Sequence, residues 1–277
     1  MADWPLYDGQ GTETAGATAA SSIGVAVTAG GSTNTKGSWV ELIAATAHKA
    51  VGLIVNAGRG HTATADFLVD IGVGASSSET VIIPNLKCDN GSNNLGPGQI
   101  LIPIGIPAGT RIAARCQATS ASAVTRLQVI LLYGSWLGQP PLGRVTAYGV
   151  ATADSGGVSV DPGLAANTKG SWSQITASTT NPMRSMLVSI GQQANSGRSV
   201  NTDWLLDIAI GAGGSELIVI ADLHAEVSTS DDAVEPRYIG PIPCNIPAGT
   251  RLAARSQASN ITDPTDKLFD VIIYGLD

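Results

Sequence analysis

Ile106-Pro107-Ala108-Gly109-Thr110-Arg111-Ile112-Ala113-Ala114-Arg115-Cys116-Gln117-Ala118 returns later in the chain as Ile246-Pro247-Ala248-Gly249-Thr250-Arg251-Leu252-Ala253-Ala254-Arg255-Ser256-Gln257-Ala258. Alternate residues of this stretch differ in kind. Ile112, Ala114, Cys116 and Ala118 fall on one side, and Arg111, Ala113, Arg115 and Gln117 on the other. That period of two marks a β-strand with one core face. Pro107 and Gly109 suit the second and fourth positions of a type I turn, which starts the strand sharply.

Three more blocks recur in the same order, so the chain is two copies of one unit. Asn34-Thr35-Lys36-Gly37-Ser38-Trp39 returns unchanged as Asn167-Thr168-Lys169-Gly170-Ser171-Trp172. Asp66-Phe67-Leu68-Val69-Asp70-Ile71 returns as Asp203-Trp204-Leu205-Leu206-Asp207-Ile208. Each copy closes an apolar run with Tyr-Gly, at Tyr133-Gly134 and Tyr274-Gly275. The extra residues of copy two fall between blocks, around Gln192 to Asn201 and Glu226 to Arg237. Insertions of this kind belong in surface loops.

Each copy holds eight short apolar runs rich in Val, Ile and Thr, separated by turn residues. In copy one they lie near 24–28, 38–45, 50–57, 65–74, 80–86, 100–106, 110–118 and 126–134. The gaps are too short for parallel crossovers. The expected fold is all-β: two tandem homologous antiparallel β-sandwich domains, jelly-roll-like. Residues 1–21 read as an N-terminal arm with no clear counterpart in copy two. Copy one takes 22–136, a Pro/Gly linker takes 137–153, and copy two takes 154–277. Gly37 and Gly170 are expected to supply a positive φ before the Trp strand.

Composition narrows the function. Charged residues make up 13% of the 277 and the net charge is −7. Fifteen scattered Lys and Arg do not form the basic stripe that phosphate backbones require, so neither nucleic acid nor an anionic membrane is an expected partner. No apolar run approaches the ~20 residues of a membrane helix, and no signal peptide is evident. Cys88, Cys116 and Cys244 match no zinc spacing and read as small buried hydrophobes. His48, His61 and His224 form no ligand pair. Gly72-Val73-Gly74-Ala75 lacks the Lys-Ser/Thr and helix of a phosphate loop. No nucleophile elbow is present. The expectation is no enzyme, no cofactor and no metal.

The repeated charged residues Asp66, Asp70, Arg111 and Arg115, with Asp203, Asp207, Arg251 and Arg255, read as structural ion pairs. A packing role is needed in both copies, whereas an active site is usually needed once. Asp66 and Asp70 also lie roughly 13 Å apart along a strand, beyond the ~5–9.5 Å of glycosidase carboxylates. The repeated Trp39 and Trp172 are expected in the core. Trp4, Tyr7 and Trp136, in the arm or at the linker edge, are the interface candidates. The loop Ser228 to Asp232 is the candidate for a glycan contact.

The blocks Asn34 to Trp39, Asp70 to Gly74 and Ile106 to Arg115, closed by Tyr-Gly, resemble those of uncharacterised tandem β-sandwich virion structural proteins of tailed bacteriophages. That resemblance implies a virion protein assembled in the host cytoplasm: a tail, baseplate or fibre component, or a capsid decoration. Its implied partners are other virion proteins and further copies of itself. Three chains of two similar domains give six nearly equivalent units, so a trimer is the expected homo-oligomer. A carbohydrate-binding host-attachment module, with a host glycan as partner, is the alternative.

Overall fold

A computed structural model of the chain describes residues 9–16, 24–58, 65–90, 98–135, 141–191, 202–227, 237–260 and 268–277. None of these residues is α-helical. Copy one contains β1 (Gly11–Ala15), β2 (Val25–Thr28), β3 (Val40–Ile43), β4 (Ala50–Gly58), β5 (Ala65–Val73), β6 (Thr80–Asn90), β7 (Gly98–Ile102), β8 (Ile112–Ala118) and β9 (Val124–Tyr133). Copy two contains β10 (Val145–Tyr148), β11 (Val158–Val160), β12 (Ser173–Thr176), β13 (Met183–Gly191), β14 (Thr202–Ile210), β15 (Leu217–Val227), β16 (Arg237–Ile246), β17 (Leu252–Ala258) and β18 (Phe269–Leu276).

Each copy is an antiparallel sandwich of two sheets with jelly-roll strand order. In copy one, β1-β9-β4-β7, with β2 also on β9, faces β3-β8-β5-β6. In copy two, β10-β18-β13-β16, with β11 also on β18, faces β12-β17-β14-β15. We call these the first, second, third and fourth sheets. Alternation selects the core. Phe67, Val69 and Ile71 of β5 meet Leu53 and Val55 of β4 and Leu127, Val129 and Leu131 of β9. Trp204, Leu206 and Ile208 of β14 meet Val188 of β13 and Phe269, Val271 and Ile273 of β18. Cys88 and Cys116 are buried, and burial pushes the Cys116 thiol up to about 12.

Several elements differ from the sequence reading. β1 lies inside the stretch 1–21 and pairs with β9 from Gly11↔Tyr133 to Ala15↔Val129. Its counterpart is β10, inside 137–153, which pairs with β18. Both units therefore begin earlier than the repeated blocks do. Gly37 and Gly170 do not take a positive φ; Asn34 and Asn167 do, each at 56°. The glycines are required instead because a Cβ would run into the carbonyl oxygens of Thr28 and Asp161.

The two Tyr-Gly blocks also part company. Tyr133 stays in phase with the inward residues Val129 and Leu131 and stacks on His48, ring centroids 4.2 Å apart. Tyr274 is out of phase with Val271 and Ile273 and points away from its own core. The pairings Val25↔Leu127 and Val158↔Val271 set Tyr274 level with Ile130, three positions from Tyr133, and an odd displacement reverses a side chain's face.

The copies pack directly on one another. Val145, Leu187, Ile272, Tyr274 and Leu276, on the outer face of the third sheet, join the apolar cluster of copy one.

Candidate functional site

The strongest polar constellations are two matched clusters on the outer faces of the second and fourth sheets. Period two places Asp70 outward on β5, and the register sets it opposite Arg115 of β8. Arg115 Nε donates to Asp70 Oδ2 at 2.9 Å. Lys36, in the loop before β3, donates from Nζ to Asp70 Oδ1 at 2.9 Å and to the Leu68 carbonyl at 3.0 Å. The Asn85 N–H adds a third donor to the carboxylate, reaching Oδ1 at 2.9 Å. Arg115 in turn lies over the Trp39 ring, 4.6 Å from its centroid.

Copy two repeats each contact. Arg255 Nε reaches Asp207 Oδ2 at 3.0 Å, and Lys169 Nζ reaches Oδ1 at 2.7 Å and the Leu205 carbonyl at 3.0 Å. The Asp222 N–H donates to Oδ1 at 3.1 Å, and Arg255 sits 4.4 Å from the Trp172 centroid. Burial pushes the Asp207 carboxyl up. Hydrogen bonds from Lys169, the Asp222 N–H and Arg255 outweigh it and hold the group below the ordinary aspartate value. A carboxylate that already accepts from two cations and a backbone N–H is occupied by the fold. Its work is to tie the loop before β3 or β12 onto the sheet.

The other named residues separate. Arg111 pairs with Glu41 at 2.7 Å and Glu79 at 2.8 Å, and Arg251 pairs with Glu216 at 3.1 Å. Asp66 and Asp203 join neither cluster; their N–H groups donate to the hydroxyls of Thr119 and Ser259. Sequence reasoning missed Lys36 and Lys169, although both sit inside the unchanged repeated block, and that repetition was the available signal. Trp39 and Trp172 are half-buried on the outer sheet faces beneath arginines rather than in the core. The core aromatics include Phe67 and Trp204. Trp4, Tyr7, Trp136, His61 and the loop Ser228 to Asp232 lie outside the described residues.

A second constellation joins the copies. Lys87 of β6 is fully buried, with Nζ 3.6 Å from Asp270 Oδ2 of β18. Burial pushes the Asp270 carboxyl up to about 6, against the pull of Lys87 and of the Gly157 N–H, which donates to Oδ2 at 2.8 Å. Tyr274 Oη donates to the Asn85 carbonyl at 2.7 Å and accepts from the Lys87 N–H at 3.1 Å. Tyr238 Oη donates to the Lys87 carbonyl at 2.8 Å. Farther along, Asn34 Nδ2 donates to the Ala153 carbonyl at 2.6 Å, and Gln117 Nε2 to the Thr152 carbonyl at 2.7 Å.

Two further features are open to solvent. Asp203, His224 and Glu226 bring ligand atoms within 4.8 Å of one another, all exposed. A cleft of about 680 Å³ lies where Pro103, Pro141 and Leu142 meet Arg184 and Pro243. Its rim carries Arg144, which already binds Asn181 at 2.7 Å and Asp277 at 3.3 Å. Ser185, also in its wall, donates its hydroxyl to the Ile242 carbonyl.

No protein-family model matches the chain, and no curated protein shows significant similarity to it.

Proposed function

We propose that the chain is a non-enzymatic structural component of a tailed phage particle, docking to other virion proteins. One observation carries the non-catalytic part. The repeated charged residues Asp70, Arg115, Asp207 and Arg255, the best candidates for chemistry, hold loops to sheets in the same way in both copies. The resemblance of the repeated blocks supports the particle. Rigid sandwiches clamped face to face suit a shell, tail or fibre part, in which outer faces rather than a cleft meet the partners.

Gradient-purified particles of the source phage provide the test. The chain is expected in them in multiple copies, and a variant lacking residues 2–8, which leaves β1 on β9, measures how far Trp4 and Tyr7 contribute to incorporation. Absence from particles defeats the proposal. Binding on a glycan array by the purified chain, with absence from particles, would favour the carbohydrate-binding reading instead.

A further inference from the structure

β6 and β15 occupy the same place in the two sandwiches, and their registers match them residue by residue. Leu68 pairs with Lys87 and Leu205 with His224. Asn85 and Asp222 share a positive φ, 51° and 54°, and each sends its N–H to the cluster carboxylate. In copy one the third sheet covers the Asn85 to Lys87 end of this surface, and Leu68 and Lys87 are 0% exposed. In copy two it is bare. Farther along β15, Leu217, Ile218 and Val219 are 65, 40 and 38% exposed, Ile218 on the outer face opposite Ala209, and His224 is open. The three apolar residues are among the four exposed large hydrophobics of the described residues. Exposed Asp203 and Glu226 border His224, and exposed Asp222 lies between it and the apolar residues.

The chain itself shows what covers such a surface: the outer face of a jelly-roll sheet of order β11-β18-β13-β16. It contains one other sheet of that order, the first, β2-β9-β4-β7. Ile130 of β9 stands where Tyr274 of β18 stands, as the pairings Ile54↔Ile130 and Leu187↔Tyr274 fix. Leu187 and Tyr274 both pack into copy one. Ile54, Leu101 and Ile130 are half-buried, and Arg126 beside them is a cation for the acidic border of β15.

We propose that the outer face of the fourth sheet is an interface between copies of this chain, and receives the outer face of the first sheet of a second copy, head to tail. The contact between copies one and two within the chain would then continue from chain to chain. Such an interface is heterologous. It yields the expected trimer if the rotation closes after three chains, and a filament if it does not close. The inference goes beyond the assignment to a particle, because the purified chain alone decides it.

β15 also invites a rival arrangement. It is an edge strand with Ala221 where β6 has Pro84, so its backbone is open to antiparallel pairing with another β15. Two blocked variants separate the geometries. Ile218→Lys disables the receiving face, and Ile130→Lys disables the inserted one. Light scattering across the micromolar range is expected to show wild-type mass rising above one chain. Each variant alone should associate about tenfold or more weakly, while their equimolar mixture should form a two-chain species. Circular dichroism and melting check the fold, with Val219→Glu and Ile54→Lys as replacements for a variant that fails. A one-chain mass for wild type at all concentrations overturns the proposal. So does self-association of Ile130→Lys equal to wild type with Ile218→Lys monomeric, which identifies β15-to-β15 pairing. Wild-type association by both variants overturns it as well.

Discussion

Copies one and two hold the same strand order and the same Lys-Asp-Arg-Trp cluster, yet the sheet edges β6 and β15 have diverged. Under its neighbour, β6 carries Pro84, Asn85 and Lys87; in the open, β15 carries Ala221, Asp222 and His224. The clusters hold each sandwich together and are alike because both sandwiches must fold. The edges differ because only one of them is covered. Repetition in this chain therefore marks what folding needs, and departure from repetition marks where one unit meets another.

The largest effect should fall on the matched clusters. Asp70→Ala and Asp207→Ala each leave a Lys and an Arg on the sheet without their counter-ion. Each is expected to cost about 3 kcal/mol in denaturant unfolding, near the lower end for breaking a buried pair because the cations are partly wet. Equal losses sharpen the equivalence, and a loss confined to one copy breaks it.

Acidity should separate the two buried aspartates by sign. The Asp270 carboxyl rises from 3.8 to about 6 on folding. Its favourable contribution is therefore complete below pH 3.8 and lost as pH rises through 6, an effect of at most about 3 kcal/mol for a rise of that size. Asp207 is lowered, so its contribution is present above pH 3.8 and lost as pH falls through its folded value. Melting between pH 7 and 4 should show Asp270→Asn removing a gain on acidification. Asp207→Asn should not remove that gain.

Tyr274→Phe loses two donor-acceptor contacts across the copies and should cost about 1–2 kcal/mol. Tyr133→Phe keeps its stack on His48 and should lie within about 0.5 kcal/mol of wild type. Thermal melts of the pair test whether the two Tyr-Gly blocks have parted roles. Smallest of all, Trp39→Leu and Trp172→Leu should each cost no more than about 1 kcal/mol beyond lost packing, the worth of an exposed cation–ring contact. Double-mutant cycles with Arg115 and Arg255 measure it.

Fold class was legible because alternation and repetition are local. Phe67, Val69 and Ile71 face the core as their spacing requires, and the apolar runs near 24–28, 50–57, 65–74 and 110–118 became β2, β4, β5 and β8. β1 and β10 escaped notice because Gly-Thr-Glu-Thr-Ala and Val-Thr-Ala-Tyr have little apolar alternation, and their pairing with β9 and β18 supplies what their side chains do not. The opposite faces of Tyr133 and Tyr274 were hidden for a different reason: a displacement of three positions along the strand leaves the sequence match intact. Candidate site residues were legible as types. Their partners were not, because Glu41, Glu79 and Glu216 lie far from the arginines in sequence and meet them only across strands.

The burial of Lys87 and Tyr274 between the sandwiches has a mechanical consequence. A load applied to one half passes to the other through packed side chains and carbonyl contacts rather than along the peptide that joins them. The covalent joint near Pro141 is thus dispensable once the chain has folded. A protease cut there should leave two halves that migrate together until denaturant separates them.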